Sequence, residues 1–573
     1  MVRDPWALFV RQVAELKAGA EAAAGLTAEI PFERPDAQFG DLAYPCFAYA
    51  KAARKAPAAI AAEMAGRMTA GGLVAKITAT GPYVNFTADA GALAREVFAS
   101  WRESGKAYGT GEPRTVRVLV EHTSVNPTGP IHVGRARNPI IGDALARLLR
   151  LSGATVTTEY FVNDVGRQMV LLAWGAKHLA ASEVPPAERD KDDYRLVSYY
   201  QAANARLETD PALEGEVQKL IFRLENGDEA LVREVRAVAE RILGGIQGTL
   251  QRLGVAFDRY FWESDLLLGG RMRPAVDRLL AVPGAAVEDG GHYIDLASFG
   301  VHGRETKWFF LRKDGTSLYP TRDVAYHLDK LARCDEAIVV LGEDQRLANL
   351  QLRAALKLLG TGRDVEPVFY AYVSLPEGKM STREGRVVFM DDLLDEAVAR
   401  AYAEVDRRRP DLPEGRKRTI AELVGVSAVR YHIVRVQAEK AITFVWEEAL
   451  SFEGNAAPYL QYAHARCHGI LAKAGASGLP AEIPPMEAAE RALLLTLARY
   501  PETVAAAAEA RRPYRLAAYA DELANAFTAF YHACPVVDAE EPARAFRLSL
   551  VSLTKAVLAS SLDAVGVVAP DEM

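Results

Sequence analysis

The sequence predicts an α/β protein that ends in a long all-α segment. A doubly wound parallel sheet occupies the middle, an α+β region precedes it, and helices fill the last third. Three observations predict this. A strand, a glycine- and proline-rich loop, a helix and a second strand follow one another between residues 116 and 162, the order of a parallel β-α-β unit. Strand signals return at residues 307–311, 337–341 and 368–373. From about residue 391 the apolar spacing is helical almost to the end, broken at residues 475–480.

Taken in order, residues 1–110 open with helical spacing at Trp6, Phe9, Val13 and Leu16, then pass through alanine-rich stretches to a strand-like run, Tyr83-Val-Asn-Phe86. Gly109-Thr-Gly-Glu-Pro113 reads as a linker. Val116-Arg-Val-Leu-Val-Glu121 is a short strand, residues 137–151 have helical period, and residues 154–162 form a second strand rich in β-branched side chains. Such a unit places a binding site at the strand carboxyl ends. Residues of about 175–265 are helical and charged, as expected of an insertion into the sheet domain of 111–390. Residues 391–573 form the helical segment, and no internal repeat is found.

Bulk properties narrow the function classes. A chain of 573 residues is too long for one core. No uninterrupted apolar stretch reaches the roughly 18 residues a bilayer requires, and the first residues lack a signal-peptide pattern. The four cysteines, Cys46, Cys334, Cys467 and Cys534, form no Cys-x-x-Cys pair. A zinc ribbon or disulfide framework is therefore not expected, and a reduced, cytoplasmic setting is. The net charge of −7 means that any RNA partner is met by local basic patches. Arg407-Arg-Arg409 and Arg416-Lys-Arg418 are candidates, although such runs are usually solvated helix ends.

Two loops carry chemistry. In Asn126-Pro-Thr-Gly-Pro130 the residues Pro127, Thr128, Gly129 and Pro130 force a tight turn after a strand, and Gly134 opens a helix. Bare backbone there admits a planar base, and helix N-terminal amides face phosphate. His132 is placed to donate to an ATP phosphate as charge builds on leaving pyrophosphate. The second loop, Lys379-Met380-Ser381-Thr382-Arg383, lies between strand signals, with a short strand expected at residues 386–389. A lysine loop closing over triphosphate stabilises an in-line displacement. Either loop alone is weak evidence; at opposite ends of one sheet domain they are specific. No Walker loop, complete Gly-x-Gly-x-x-Gly or Gly-x-Ser-x-Gly is present.

The pair resembles the His-Ile-Gly-His and Lys-Met-Ser-Lys-Ser signatures of class I aminoacyl-tRNA synthetases, and the neighbouring residues resemble arginyl-tRNA synthetases of archaeal style. The resemblance rests on residues 121–138, 160–168, 314–323 and 455–466 and covers nearly the whole chain, most weakly in the insertion. It implies a Rossmann-like catalytic domain, an N-terminal domain that reads the tRNA D-loop, and a helical stem with an anticodon-binding domain. It also implies ATP with Mg2+ as substrate complex and L-arginine and tRNA(Arg) as partners; the scattered cysteines give no reason to expect zinc, and nothing requires more than a monomer.

The positions matching the family's arginine-binding residues are Ser124, Asn126, Tyr319, Asp323 and Gln345, with Glu121 a further candidate. A guanidinium offers donors and no acceptor, so its pocket needs carboxylates. Asp323 and Glu121 are expected to grip it, assisted by the Tyr319 hydroxyl, while Asn126 and Gln345 hold the α-amino and carboxylate groups. For Asp323 the competing reading is a helix cap. The signatures depart from the class pattern at Arg135, where histidine is usual, and at Thr382, where lysine is usual. Lys379, Arg383 and Arg135 are the candidates for the missing cation.

Tyr459, Tyr462 and Arg466 stand at i, i+3 and i+7, one helix face. Aromatics at that spacing usually mean core; the resemblance reverses this and implies stacking on anticodon bases. Tyr531 and Met573 match further anticodon-side positions, Tyr83 and Asn85 fall where a D-loop base is read, and Phe39-Gly-Asp41 matches a structural turn. Alternatives are a non-catalytic tRNA-binding paralogue, a small-molecule ligase or nucleotidyltransferase, and a cysteinyl-type synthetase. The last needs zinc ligands that the scattered cysteines do not supply.

Overall fold

The inner strands of the central sheet are buried along most of their apolar runs, because helices cross over to cover both faces. The computed structural model describes residues 4–302, 306–374, 388–475, 478–480 and 482–573. Before the sheet lie α1 (Pro5–Ala24), β1 (Leu42–Pro45), α2 (Ala50–Ala53), α3 (Pro57–Gly66), β2 (Val74–Thr80), β3 (Tyr83–Ala88) and α4 (Ala90–Ser104). The strands form an antiparallel sheet of order β1-β3-β2. Gly40, at φ 145°, is required here, because a Cβ would lie 2.7 Å from the Phe86 carbonyl oxygen. Its neighbour Asp41 accepts from Ala88 N at 2.8 Å and pairs with Arg491, tying this region to the helical end.

The central unit follows the predicted order: β4 (Arg117–Glu121), α5 (Arg137–Leu151) and β5 (Thr155–Val162). In β4, Val118, Leu119 and Val120 are all buried, as expected of a strand covered on both sides. Helix α5 is buried along most of its length, because it lies under the sheet and against the C-terminal helices at once. Four helices follow, α6 (Arg167–His178), α7 (Asp192–Thr209), α8 (Pro211–Glu225) and α9 (Glu229–Arg252), before β6 (Arg259–Trp262), α10 (Ser264–Leu268) and α11 (Met272–Leu280).

The strand at 307–311 does not join the parallel sheet. With β7 (Ala285–Glu288) and β8 (Gly291–Asp295), β9 (Lys307–Leu311) forms a separate antiparallel sheet. The cause is local: Asp289 and Gly290 both have positive φ, 51° and 87°, which makes the tight turn of a hairpin. After α12 (Tyr319–Arg333), β10 (Glu336–Gly342), α13 (Arg346–Leu358) and β11 (Val365–Tyr370) complete the parallel sheet in the order β11-β10-β4-β5-β6. The third strand signal thus stops at Tyr370, and Val373–Ser374 is a separate strand, β12, paired in parallel with β13 (Ile442–Thr443). The connections run in opposite directions from β4, to β5 on one side and β10 on the other. A crevice opens there at the carboxyl ends.

Helices α14 (Met390–Arg408) and α15 (Glu414–Val434) form an antiparallel pair, followed by α16 (Trp446–Ala449), α17 (Ala457–Ala474), α18 (Ala488–Ala498), α19 (Tyr500–Glu509), α20 (Tyr514–Ala533) and α21 (Ala543–Ala564). By length and composition α21 is apolar enough to cross a membrane, but it packs against α17, α18 and α20 as the core helix of this bundle. The two basic runs are locally neutralised. Arg407 and Arg408 pair with Glu404, Arg409 with Asp411, Arg416 with Glu572, Lys417 with Asp406 and Arg418 with Glu414. Exposed pairs of this kind contribute little stability, at most about 1 kcal/mol each.

Candidate active site

At the end of β4 the backbone enters the left-handed region at two non-glycine residues, Thr123 (φ 68°) and Ser124 (φ 43°). Such strain persists only where surrounding bonds hold it. Thr123 N donates to Asn138 Oδ1 at 2.7 Å. Ser124 Oγ accepts from Phe161 N at 3.0 Å and donates to Glu121 Oε1 at 3.0 Å. Ser124 is therefore occupied in holding the turn. Asn126 is exposed and its carbonyl accepts from Thr128 N at 2.8 Å; Pro127, Gly129 and Pro130 are buried beneath. A Cβ on Gly129 would lie 3.0 Å from Val197 Cγ2, so glycine allows α7 to approach the loop.

His132 is exposed and its Nδ1 accepts from Gly134 N at 2.9 Å. This bond fixes the tautomer, leaving the proton on Nε2. Burial and the neighbouring Arg135 lower the His132 pKa, so the ring is a neutral N–H donor. At Gly134 a Cβ would lie 2.9 Å from His132 Nδ1, and any side chain there would turn the ring. Arg135 is exposed. It helps hold the Asp344 carboxyl below its usual range, although the hydrogen bonds from Tyr372 and Gln345 weigh more.

Lys379, Met380, Ser381, Thr382 and Arg383 lie outside the described residues, as do Arg386 and Val387 of the expected strand. The ends of their segment are described. On the near side β12 lies beside residues 133–135. On the far side Val133 N donates to the Val388 carbonyl at 3.0 Å, Met390 N donates to the Ile131 carbonyl at 2.8 Å, and His132 bridges Phe389. Both ends of the lysine segment are thus joined to the His132 loop.

Tyr319 opens α12, so Tyr319 and Asp323 stand one turn apart; the cap is Leu318, not Asp323. Three carboxylates converge here. Glu121 is paired with Lys330. Glu263 accepts from Arg322 Nε at 2.6 Å. Asp323 has no lysine or arginine partner among the described residues; its nearest basic group is His327, whose Nδ1 lies 3.1 Å from Asp323 Oδ1. His327 Nε2 lies 3.2 Å from Lys330 Nζ, which can only donate. The His327 Nδ1 hydrogen bond goes to the Asp323 backbone carbonyl at 2.9 Å, not to its carboxylate. Of the three carboxylates Asp323 alone keeps an uncompensated negative charge. Burial first, then Asp323, Glu263 and Glu121, push the Tyr319 hydroxyl upward, so it remains a protonated donor. Gln345 follows β10, exposed, its amide donating to Asp344 at 3.2 Å.

Glu263 was not legible as a site residue. It sits after a short strand with no pattern to mark it. Burial pushes its carboxyl to about 7, opposed by Arg322 and reinforced by Asp164 and Asp323.

The sheet, the paired loops and the acid-lined crevice can be compared with known proteins. Residues 101–446 match the family model for the catalytic domain of class I tRNA synthetases (R), residues 460–573 the DALR anticodon binding domain, and residues 12–88 the arginyl tRNA synthetase N-terminal domain. The chain belongs to the arginyl-tRNA synthetase family. An arginine–tRNA ligase of Methanocella arvoryzae is 46% identical over 92% of this chain and 92% of its own. One of Haloarcula marismortui is 45% identical over 90% and 91%. The solved arginyl-tRNA synthetase of Thermus thermophilus superposes with a TM-score of 0.82 at 32% identity, covering 98% of this chain and 100% of its own.

The positions expected to meet RNA are not equivalent in the structure. Tyr462 is 44% and Tyr531 39% exposed, and the Arg466 guanidinium lies 4.5 Å from each ring centroid. Tyr459 differs. Its hydroxyl bonds Asn525 at 2.8 Å and Thr528 at 3.1 Å, and its ring packs on the core. The shared face predicted for Tyr459, Tyr462 and Arg466 is therefore split between packing and exposure. Met573 lines a cavity of about 260 Å³ with Tyr462 and Phe452, and its carbonyl accepts from Arg409 at 2.9 Å. Tyr83 packs edge-on against Phe47, which is 57% exposed. Asn85 is 3% exposed and its Nδ2 has no hydrogen-bond partner; sequence alone did not show that burial.

Tyr462→Ala is expected to raise the tRNA KM about tenfold, since base stacking on an aromatic is worth about 1–3 kcal/mol, with the arginine KM unchanged. Steady-state aminoacylation checks this, and equal losses on both substrates would contradict it.

Proposed function

We propose that the protein attaches L-arginine to tRNA(Arg) in two steps. The arginine carboxylate attacks the ATP α-phosphorus, releasing pyrophosphate and forming arginyl-adenylate. A terminal ribose hydroxyl of the tRNA then displaces AMP. ATP enters as its Mg2+ complex. Asp323, with the Tyr319 hydroxyl, receives the substrate guanidinium; Glu121 holds Lys330 and Ser124 in place beside it. Asn126 and Gln345, exposed at neighbouring strand ends, take the α-amino and carboxylate groups. The backbone from Pro127 to Gly134 faces the nucleotide, and His132 donates through Nε2 as charge develops on the leaving pyrophosphate. Lys379, Arg383 and Arg135 supply cation, and Met380, Ser381 and Thr382 carry the loop.

The single observation that carries this reading is Asp323, the one of three converging carboxylates with no lysine or arginine partner among the described residues. A guanidinium entering the crevice finds in such a carboxylate a charge-assisted, fork-matched acceptor. Residues 1–110, through Tyr83 and Asn85, are proposed to read the D-loop, and residues 391–573, through Tyr462, Arg466, Tyr531 and Met573, the anticodon. Tyr459 supports that surface from behind. A monomer in the cytoplasm suffices for this activity. Arginine-dependent ATP–pyrophosphate exchange, run with and without cognate tRNA, tests the reading. Exchange with arginine that requires tRNA is expected. No exchange with cognate tRNA present would overturn it in favour of a non-catalytic tRNA binder.

A further inference from the structure

Arg189 and Lys191 lead into α7 and reach across to the start of α14. Arg189 donates to Asp392 Oδ1 at 2.5 Å and to Asp395 Oδ2 at 2.6 Å. Lys191 donates to Asp391 Oδ2 at 2.8 Å and to the Thr249 hydroxyl of α9 at 2.7 Å. That hydroxyl in turn donates to Asp391 Oδ1 at 3.0 Å, so both oxygens of the buried Asp391 are held. Asp193, completely buried, lies 3.2 Å from the same lysine. Burial raises the Asp193 carboxyl pKa, opposed by Lys191 and reinforced by Asp391. For stability alone this is a poor arrangement. Drawing two buried carboxylates onto one lysine carries a desolvation cost that apolar packing would avoid, and what such a cluster can supply instead is a fixed register.

The register is that of Phe389, the residue just before α14. Asp391 and Asp392 stand in the first turn of that helix, where its dipole favours acids. Through its second oxygen Asp392 accepts from the Phe389 amide at 3.0 Å. The Phe389 ring meets Tyr194 of α7 edge-on, with centroids 5.2 Å apart. Along its main chain Phe389 bridges His132, between the Val133–Val388 and Met390–Ile131 bonds described above. The His132 loop therefore leans on α7 twice. One support is direct, where Gly129 admits Val197. The other runs through Phe389 and is clamped by Arg189 and Lys191.

We propose that Arg189 and Lys191 are positioning residues for His132: by clamping Asp392 and Asp391 they fix the main-chain bridge at Phe389, and through it the place of the His132 imidazole in the crevice. The helices inserted between β5 and β6 thereby gain a role in the chemistry. Both cations act through the backbone of the His132 loop rather than on substrate. Their effect is on how a donor meets charge that develops in the transition state, so it falls on kcat rather than on ground-state affinity. The proposal rests on the arginine-activating function and on the donor role of His132 given above. Wild-type exchange and His132→Ala test those two separately.

The test uses the full-length enzyme as Lys191→Met and Arg189→Gln, each alone and combined with His132→Ala. Methionine keeps the apolar stem of lysine without its charge; glutamine can still bond one aspartate but cannot clamp two. Exchange is measured with tRNA present and normalised to the protein that binds tRNA at saturation in a filter assay, with thermal unfolding alongside. Lys191→Met is expected to lower kcat about 10- to 100-fold, the loss that a displacement of about 1 Å at a catalytic group produces. Arg189→Gln is expected to lower it several-fold. The arginine and ATP KM should stay within about threefold in both. On the His132→Ala background either substitution should cost no more than about threefold, because the donor it displaces is already gone. Lys191→Arg, which restores the charge, should recover most of kcat. The positioning role is overturned if Lys191→Met keeps kcat within about threefold, if its KM values rise in step with the loss, or if that loss multiplies in full with His132→Ala. An unchanged Arg189→Gln would remove Arg189 from the clamp. Absent wild-type exchange would instead overturn the function itself, and a silent His132→Ala the donor role.

Discussion

Asp323→Ala is expected to lower kcat/KM for arginine by about 100- to 5,000-fold while leaving the ATP KM within about threefold. The magnitude follows from removing one partner of a desolvated charge pair, about 3–5 kcal/mol. The selectivity follows from the way charge is distributed. Lys330 pairs with Glu121 and Arg322 with Glu263, whereas Asp323 has no lysine or arginine partner among the described residues. Removing Asp323 therefore leaves an arriving guanidinium in a crevice with no net negative charge. Exchange kinetics at varied arginine and varied ATP measure this, and an arginine KM and kcat that both stay unchanged would remove Asp323 from the pocket.

His132→Ala is expected to lower kcat by about 100- to 1,000-fold with little change in either substrate KM, the usual loss when one donor to developing charge is removed. The Gly134 amide holds the ring with its proton on Nε2, so the donor is oriented before substrate binds. A pH profile gives a second check. Burial and Arg135 lower the His132 pKa, so the neutral ring persists as pH falls through the usual histidine value near 6.5. The His132-dependent part of kcat should therefore hold through that range and fall only below the depressed value, where a protonated Nδ1 can no longer accept from the Gly134 amide and the ring loses its orientation. A fall centred at the ordinary histidine value would contradict a depressed His132.

Much of this was legible beforehand because local pattern and tertiary demand agree. The helix at residues 137–151 and the strand before it carry apolar side chains wherever the sheet and the helical bundle cover them, so periodicity located both. Tyr319 and Asp323 share a face because a proline at 320 starts a helix there. The hidden parts depend on partners distant in sequence. Nothing near Glu121 announces Lys330, 209 residues away, and nothing near Arg137 announces carbonyls some 300 residues on. The strand at residues 307–311 was visible as a strand, but its sheet was set by the hairpin at Asp289 and Gly290. Tyr459 and Tyr462 have the same letter and the same helical face by spacing. Only the polar residues of α20, Asn525 and Thr528, separate the packed ring from the exposed one.

The central claim is that an uncompensated carboxylate selects the substrate by its charge. Citrulline tests it most directly, because it matches arginine in shape and lacks the positive charge. Exchange with tRNA present should give kcat/KM for citrulline at least about 1,000-fold below that for arginine, in line with sites built around a paired polar group, and Asp323→Asn should narrow that ratio sharply. Comparable rates for the two amino acids, or a ratio untouched by Asp323→Asn, would contradict the account.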